Sequence, residues 1–278
     1  MTPAPDADGS ASQILARQAP DWLGAVVRRR SRRAFDGVSV DSAQLDELGR
    51  FCTAWRPNAD TRTVLVLAPG DVFTGIMGGY GKVVGAPHVL LFIADERAQF
   101  ADQHAGYAGE AVILEATRRG LDTCWVGGFF DASKVARLTT LSPGERVYAV
   151  SPLGYAFVSV STTERAMRGF ASAHRRKAVE KLAPGIGRGD WPQWAVAAVE
   201  TARLAPSAMN RQPWRFRIDG GGLVIAKDNA IETPKVTKRL DVGIAMLHVE
   251  IAAAAHGVRG CWTDLSGKDV ARFDPSQA

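Results

Sequence analysis

Arg29-Arg30-Ser31-Arg32-Arg33-Ala34-Phe35 gathers four guanidiniums and a hydroxyl at the end of a helical pattern and ahead of a turn. Guanidiniums hold phosphate oxygens through planar, bidentate, charge-assisted hydrogen bonds, so the segment suits a phosphate dianion. Read alone, it fits a solvated basic run or a nucleic-acid contact equally well. A second segment, Ala205-Pro206-Ser207-Ala208-Met209-Asn210-Arg211-Gln212-Pro213-Trp214-Arg215-Phe216, lies between a helical and a strand pattern. A polar turn with an Asn amide and exposed backbone groups can read a heterocycle edge that both donates and accepts hydrogen bonds. By itself it is also an ordinary helix stop followed by a strand start.

The elements that must position these segments are visible as patterns. Apolar residues at helical spacing run from Asp21 to Arg30, and Asp41-Ser42-Ala43-Gln44 opens a second helix with a capping-box glutamine ahead of Leu45, Leu48 and Phe51. Thr63–Leu67 and His88–Ile93 read as strands, the latter buried on both faces because it barely alternates. Gly109–Arg119 fits a helix and Val147–Val150 a strand. The pattern then restarts: a helical stripe from Trp191 to Ala202, strands at Trp214–Ile218 and Leu223–Ala226, and an apolar helix over Val242–Ala255. Gly106-x-Ala108, Gly120 and Cys124-Trp125 recur as Gly243-x-Ala245, Gly257 and Cys261-Trp262, always 137 positions on. The chain therefore reads as a flexible tail over 1–18, a first half over 19–172 and a second half over 173–278.

Together the two segments resemble the nitroreductase family of flavin mononucleotide (FMN) enzymes, whose chains carry Arg-x-Ser-x-Arg/Lys-x-Phe and later Pro-Ser-x-x-Asn-x-Gln-Pro-Trp. Most members are short chains that dimerise, each flavin taking phosphate ligands from one subunit and the Pro-Ser-x-x-Asn turn from the other. Here the first half keeps the phosphate segment and the second keeps the turn. The counterparts, Arg56-Pro57-Asn58-Ala59-Asp60-Thr61 and His174-Arg175-Arg176-Lys177-Ala178-Val179, depart from both motifs. The resemblance covers roughly residues 20 to 265. It implies an α+β fold with mixed, mainly antiparallel sheets, surrounding helices and two fused pseudo-repeats. It further implies one complete flavin site, a monomer standing in for the usual dimer, and long helices near 107–119 and 243–256 meeting on the pseudo-twofold axis.

The resemblance also implies site residues. Arg29, Arg30, Ser31 and Arg33 would anchor the phosphate, with Arg165 or Arg168 returning from the end of the first half. Lys82 would reach the N1/O2 edge of the flavin, and Pro206, Ser207, Ala208 and Asn210 would wall off the ring. Gly127 and Gly128 would pass over it; many members carry Glu at the position of Gly127, so only a backbone contact is expected there. The implied chemistry is hydride transfer from NAD(P)H through flavin N5 to a nitroaromatic, quinone or activated-alkene acceptor. No side-chain catalyst is needed. The alternative on the same fold is a non-catalytic protein that stores FMN or senses redox state.

Composition limits the other classes. The 278 residues are 46% hydrophobic and 23% charged, which suits an ordinary globular chain of one large or two small domains. No apolar run is long enough to span a membrane, and the opening residues lack a secretory pattern, so a cytoplasmic chain is expected. The net charge of +5 is too small, and the bases too scattered, to argue for nucleic acid. Three separated cysteines and five histidines without metal spacing argue against a disulfide framework or a metal site.

Overall fold

A computed structural model describes residues 11–73, 83–128, 130–157, 175–189, 191–232 and 236–276. The elements in order are α1 (Ala11–Arg28), α2 (Ser42–Ala54), β1 (Thr61–Leu67), β2 (His88–Asp95), α3 (Ala101–Arg118), β3 (Asp122–Thr123), α4 (Ala132–Ala136) and β4 (Glu145–Gly154). There follow α5 (Val179–Leu182), α6 (Gln193–Ala202), β5 (Trp214–Asp219), β6 (Gly222–Lys227), α7 (Lys238–Ala255), β7 (Gly260–Asp264) and β8 (Asp269–Pro275).

The strands form two four-stranded sheets with the same order, β1-β2-β4-β3 and β5-β6-β8-β7, and every ladder is antiparallel. In each sheet the second strand slips register against the fourth, between Phe92 and Ile93 and between Ile225 and Ala226. Among the described residues, the parallel component of the expected mixed sheets is confined to the isolated bridges Ser31–Thr123 and Ala34–Val84. The fold is α+β, as expected.

The two long helices, α3 and α7, are each 18 residues and start 137 positions apart. They pack on each other along most of their length, crossing at a pair of glycines. A Cβ on Gly106 would lie 2.2 Å from the Leu240 carbonyl oxygen, and one on Gly243 would lie 1.9 Å from that of Gln103. Leu240 is itself 137 positions after Gln103, so the contact is reciprocal. Only glycine permits backbones this close. Both helices are buried nearly all round, which explains why α3 shows so little periodicity before Gly109.

One expectation is corrected: α1 begins at Ala11, so residues 11–18 are helix rather than flexible tail. Ile14, Leu15, Ala19, Trp22, Ala25 and Val26 form its buried stripe, and that apolar spacing outweighs the Ala- and Pro-rich composition around it. α2 starts as read, with the Asp41 carboxylate accepting from the Gln44 N–H at 3.1 Å. Among the described residues no helix is long and apolar enough to cross a membrane.

The sheets are covered differently. Both turn an apolar face to the common core through Leu90, Phe92 and Leu153 in one and Phe216, Ile225 and Phe273 in the other. The first sheet buries its second face as well, with Val89, Leu91, Ile93 and Val150 packed beneath Phe35, Val72, Val83, Val126 and Val135. The second sheet turns charge outward instead, pairing Arg217 with Asp269 at 2.8 Å and Arg272 with Asp274 at 2.6 Å. Chain length between strands is the cause. Val72 and Val83 from the β1–β2 connection and Val126 and Val135 from the β3–β4 connection supply the cover, whereas β5 and β6 are joined only by Gly220 and Gly221, both at positive φ.

Candidate functional site

Arg30 ends α1 by donating to the carbonyl oxygens of Val27 and Arg29, at 2.7 and 2.8 Å. The chain beyond it is extended and stitched to the first half: Ser31 bridges Thr123, the Arg32 N–H donates to the Thr123 carbonyl at 2.9 Å, and Ala34 bridges Val84. Alternation along this rail puts Ser31 and Arg33 on one side. Arg32 falls on the other, 3.8 Å from Asp122. Ser31 and Arg33 face a cleft whose floor is Trp125, Val126 and Gly127 from the loop after β3. Its far wall is Pro206–Met209 from the turn after α6, and Val236, Leu240, Asp241 and Ile244 close it at the start of α7.

The far wall is a strained turn. Met209, Asn210 and Gln212 have φ of 54°, 52° and 46°, the left-handed region that costs a non-glycine residue about 1 kcal/mol or more. Ser207 Oγ accepts from the Gln212 N–H at 2.9 Å and closes the turn on itself. Asp241 Oδ1 accepts from the Ala208 N–H at 2.9 Å, and its Oδ2 takes Arg211 Nε at 2.6 Å. Burial pushes the Asp241 carboxyl up to about 6, against the opposing pull of Arg211. The Asn210 amide ties the turn to the segment before α5: its Oδ1 accepts from Arg176 Nη1 at 2.6 Å and its Nδ2 donates to the Arg175 carbonyl at 3.0 Å.

Arg176 was not singled out by the sequence, yet it belongs to the cleft's electrostatics. Burial first, and then the positive charges of Arg29, Arg203 and Arg30, lower its guanidinium to about 10. Arg29 is buried and also lowered, by burial first, with Glu110 opposing. Among the described residues the Nε atoms of Arg29 and Arg203 are buried without a hydrogen-bond partner, and Arg29 Nη1 stands 3.5 Å from Ser31 Oγ. Glu110 cannot neutralise the cluster alone, being taken by Trp125 Nε1 at 2.7 Å and His248 Nε2 at 2.9 Å. Buried guanidiniums drawn together with open donors call for an anion. This is the property a phosphate-bearing cofactor would satisfy.

Trp125 is seated by the same network. Phe92 stacks on it at a ring separation of 4.3 Å, and a Cβ on Gly109 would come within 2.6 Å of its ring. Gly127 is similarly tight: a Cβ there would meet Val236 Cγ2 at 2.8 Å, so Val236 fills the space a side chain would need.

Of the residues expected at the site, Ser31, Arg33, Gly127, Pro206, Ser207 and Ala208 share the cleft. Arg29 lies buried beside Ser31, Arg30 is turned to the end of α1, Gly128 follows the floor, and Asn210 braces the turn through Arg175 and Arg176. Lys82, Arg165 and Arg168 lie outside the described residues. Sequence reasoning missed Trp125 as a fixed floor, Asp241, and the pair Arg176 and Arg203. Arg176 is legible in the sequence only as part of a degraded copy of the first basic segment, whereas the fold brings it to the charges of Arg29, Arg30 and Arg203.

Fold and site together define a two-sheet α+β protein whose cleft brings Ser31 and Arg33 together with the Pro206–Met209 turn. The family described as "Putative TM nitroreductase" matches residues 22–253, and the chain belongs to that family. A solved structure described as a putative nitroreductase from Thermotoga maritima is similar, with 21% identity and a TM-score of 0.56 over 91% of this chain and 92% of that one. A nitroreductase with bound FMN from Bacteroides fragilis (20%, TM-score 0.39) spans 49% of this chain and 88% of its own. An FMN-dependent nitroreductase from Clostridium difficile (19%, TM-score 0.41) likewise spans 49% and 88%. No curated protein matches the chain.

Proposed function

We propose that the chain is an FMN-dependent oxidoreductase of nitroreductase type, with one flavin site built between its two halves. The observation that carries this is the meeting of the Ser31–Arg33 rail with the Pro206–Met209 turn at one cleft, beside guanidiniums with open donors. In this reading Arg29, Ser31 and Arg176 hold the phosphate, and Arg33 with Lys82 supplies positive charge toward the ring edge where the reduced cofactor carries its negative charge. Trp125, Leu240 and Ile244 exclude water from the ring, while the Pro206–Met209 turn walls it on the far side. Bound FMN would supply the chemistry, accepting hydride from NAD(P)H and passing the electrons to a small nitroaromatic, quinone or activated alkene. The interface that most such proteins form between subunits is internal here, at α3 and α7, which supports a monomer.

Purified chain should be yellow, and anaerobic NADH or NADPH should bleach it. Colourless protein that gains no melting temperature from added FMN would overturn the reading. Yellow protein that neither nucleotide bleaches would leave the cofactor and replace catalysis with storage.

A further inference from the structure

Asp241 is a buried carboxylate, 1% exposed, on the wall of the cleft. A carboxylate so placed costs several kcal/mol unless its charge and both oxygens are engaged. Both are, and by the same turn: one oxygen takes the Ala208 N–H, the other Arg211 Nε. Arg211 then donates through Nη2 to the Val236 carbonyl at 3.0 Å, and Val236 is the residue packed against Gly127 across the cleft. One carboxylate on the rigid α7 thus ties together the strained far wall and the residue that meets the floor. The turn's own closure, Ser207 Oγ to the Gln212 N–H, fixes its ends but not its placement against α7.

We propose that Asp241 is a positioning residue that, through Arg211 and the Ala208 N–H, sets the height of the Pro206–Met209 wall over the flavin. The proposal rests on the cleft being the flavin site. Asp241→Asn is isosteric and can still accept from Ala208, but it turns an amide donor or a neutral oxygen toward Arg211. Three properties of the full chain test it: FMN dissociation constant, the visible circular dichroism of flavin at saturation, and melting temperature of the apo chain. Asp241→Asn should weaken FMN by about ten- to a hundredfold, the range for losing a hydrogen bond between charged groups, and should change the visible dichroism even at saturation. Arg211→Lys, which keeps the charge but not the Nε geometry, should move both in the same direction by less, and it carries the test should Asp241→Asn fail to fold. Ala271→Gly, in the second sheet away from the cleft, serves as the control for lost stability. Wild-type affinity and dichroism in Asp241→Asn, or equal changes in Ala271→Gly, would overturn the proposal while leaving the flavin assignment standing. A wild-type chain that binds no FMN would overturn the assignment, and the proposal with it.

Discussion

Trp125, just after β3, and Trp262, within the matching strand β7, stand 137 positions apart, and their surroundings differ. Around Trp125 are Gly127, Asp241 and Ile244, and the space between them is a cleft. The positions related by the same offset are Asp264, His104 and Tyr107, and there the space is filled. His104 bridges Asp60 at 2.9 Å and Asp264 at 2.8 Å, while Tyr107 and Trp262 both donate to Glu250, at 2.6 and 2.7 Å. A glycine and an isoleucine on one side correspond to an aspartate and a tyrosine on the other. The crossing of α3 and α7 sets the same frame twice; side-chain size and polarity decide whether a frame is a pocket or a hydrogen-bonded seam.

Emptying the cationic side of the cleft should have the largest effect. Arg29→Ala with Ser31→Ala should yield mostly cofactor-free protein, with FMN weakened about a thousandfold from the loss of two charge-assisted contacts; equilibrium dialysis against FMN reads it. Next comes the shared frame. Gly243→Ala drives a methyl into the Gln103 carbonyl and should cost about 3 kcal/mol by overpacking, and Gly106→Ala should cost about as much in the same denaturant titration. A large cost at one glycine and none at the other would break the reciprocity. Transplanting the seam into the cleft, as Gly127→Asp, should weaken FMN about a hundredfold by steric and charge conflict with Val236 and the bound anion, with a smaller loss of apo stability.

The smallest effect concerns the seam itself. Burial pulls the His104 imidazolium down, but hydrogen bonds to Asp264 and Asp60 more than offset this and hold it at about 9, above its ordinary 6.5. A histidine raised in the folded state stabilises fully below its unfolded value and loses that contribution as pH climbs toward its folded one. The wild type should therefore lose about 1–2 kcal/mol between pH 6.5 and 9, allowing for partial solvent screening. His104→Gln should flatten that limb of the stability profile.

What the sequence made legible follows from how local each signal is. The capping box at Asp41, the non-alternating β2 strand and the Pro206–Trp214 turn are written in neighbouring residues, and each is where its pattern says. The 137-residue recurrence located the helix crossing because the glycines it contains have no steric substitute. β7 and β8 were not read, since Trp262 and Asp264 share one face and no long apolar run marks either strand. The anion cluster was half read: Arg29 and Ser31 lie in one string, but Arg176 and Arg203 reach it from distant segments, and a basic residue in isolation carries no sign of the partner it will meet. Asn210 lies in the turn its motif marks, but its partners Arg175 and Arg176 are remote in the chain, so the hydrogen bonds of its amide leave no local trace.

Titrating FMN into stripped full-length chain by calorimetry, with its mass measured by light scattering in the same buffer, tests the central claim most directly. An open cleft opposite a sealed seam predicts one flavin bound per monomeric chain. Two flavins per chain, or none, or binding only by a dimer, would contradict it.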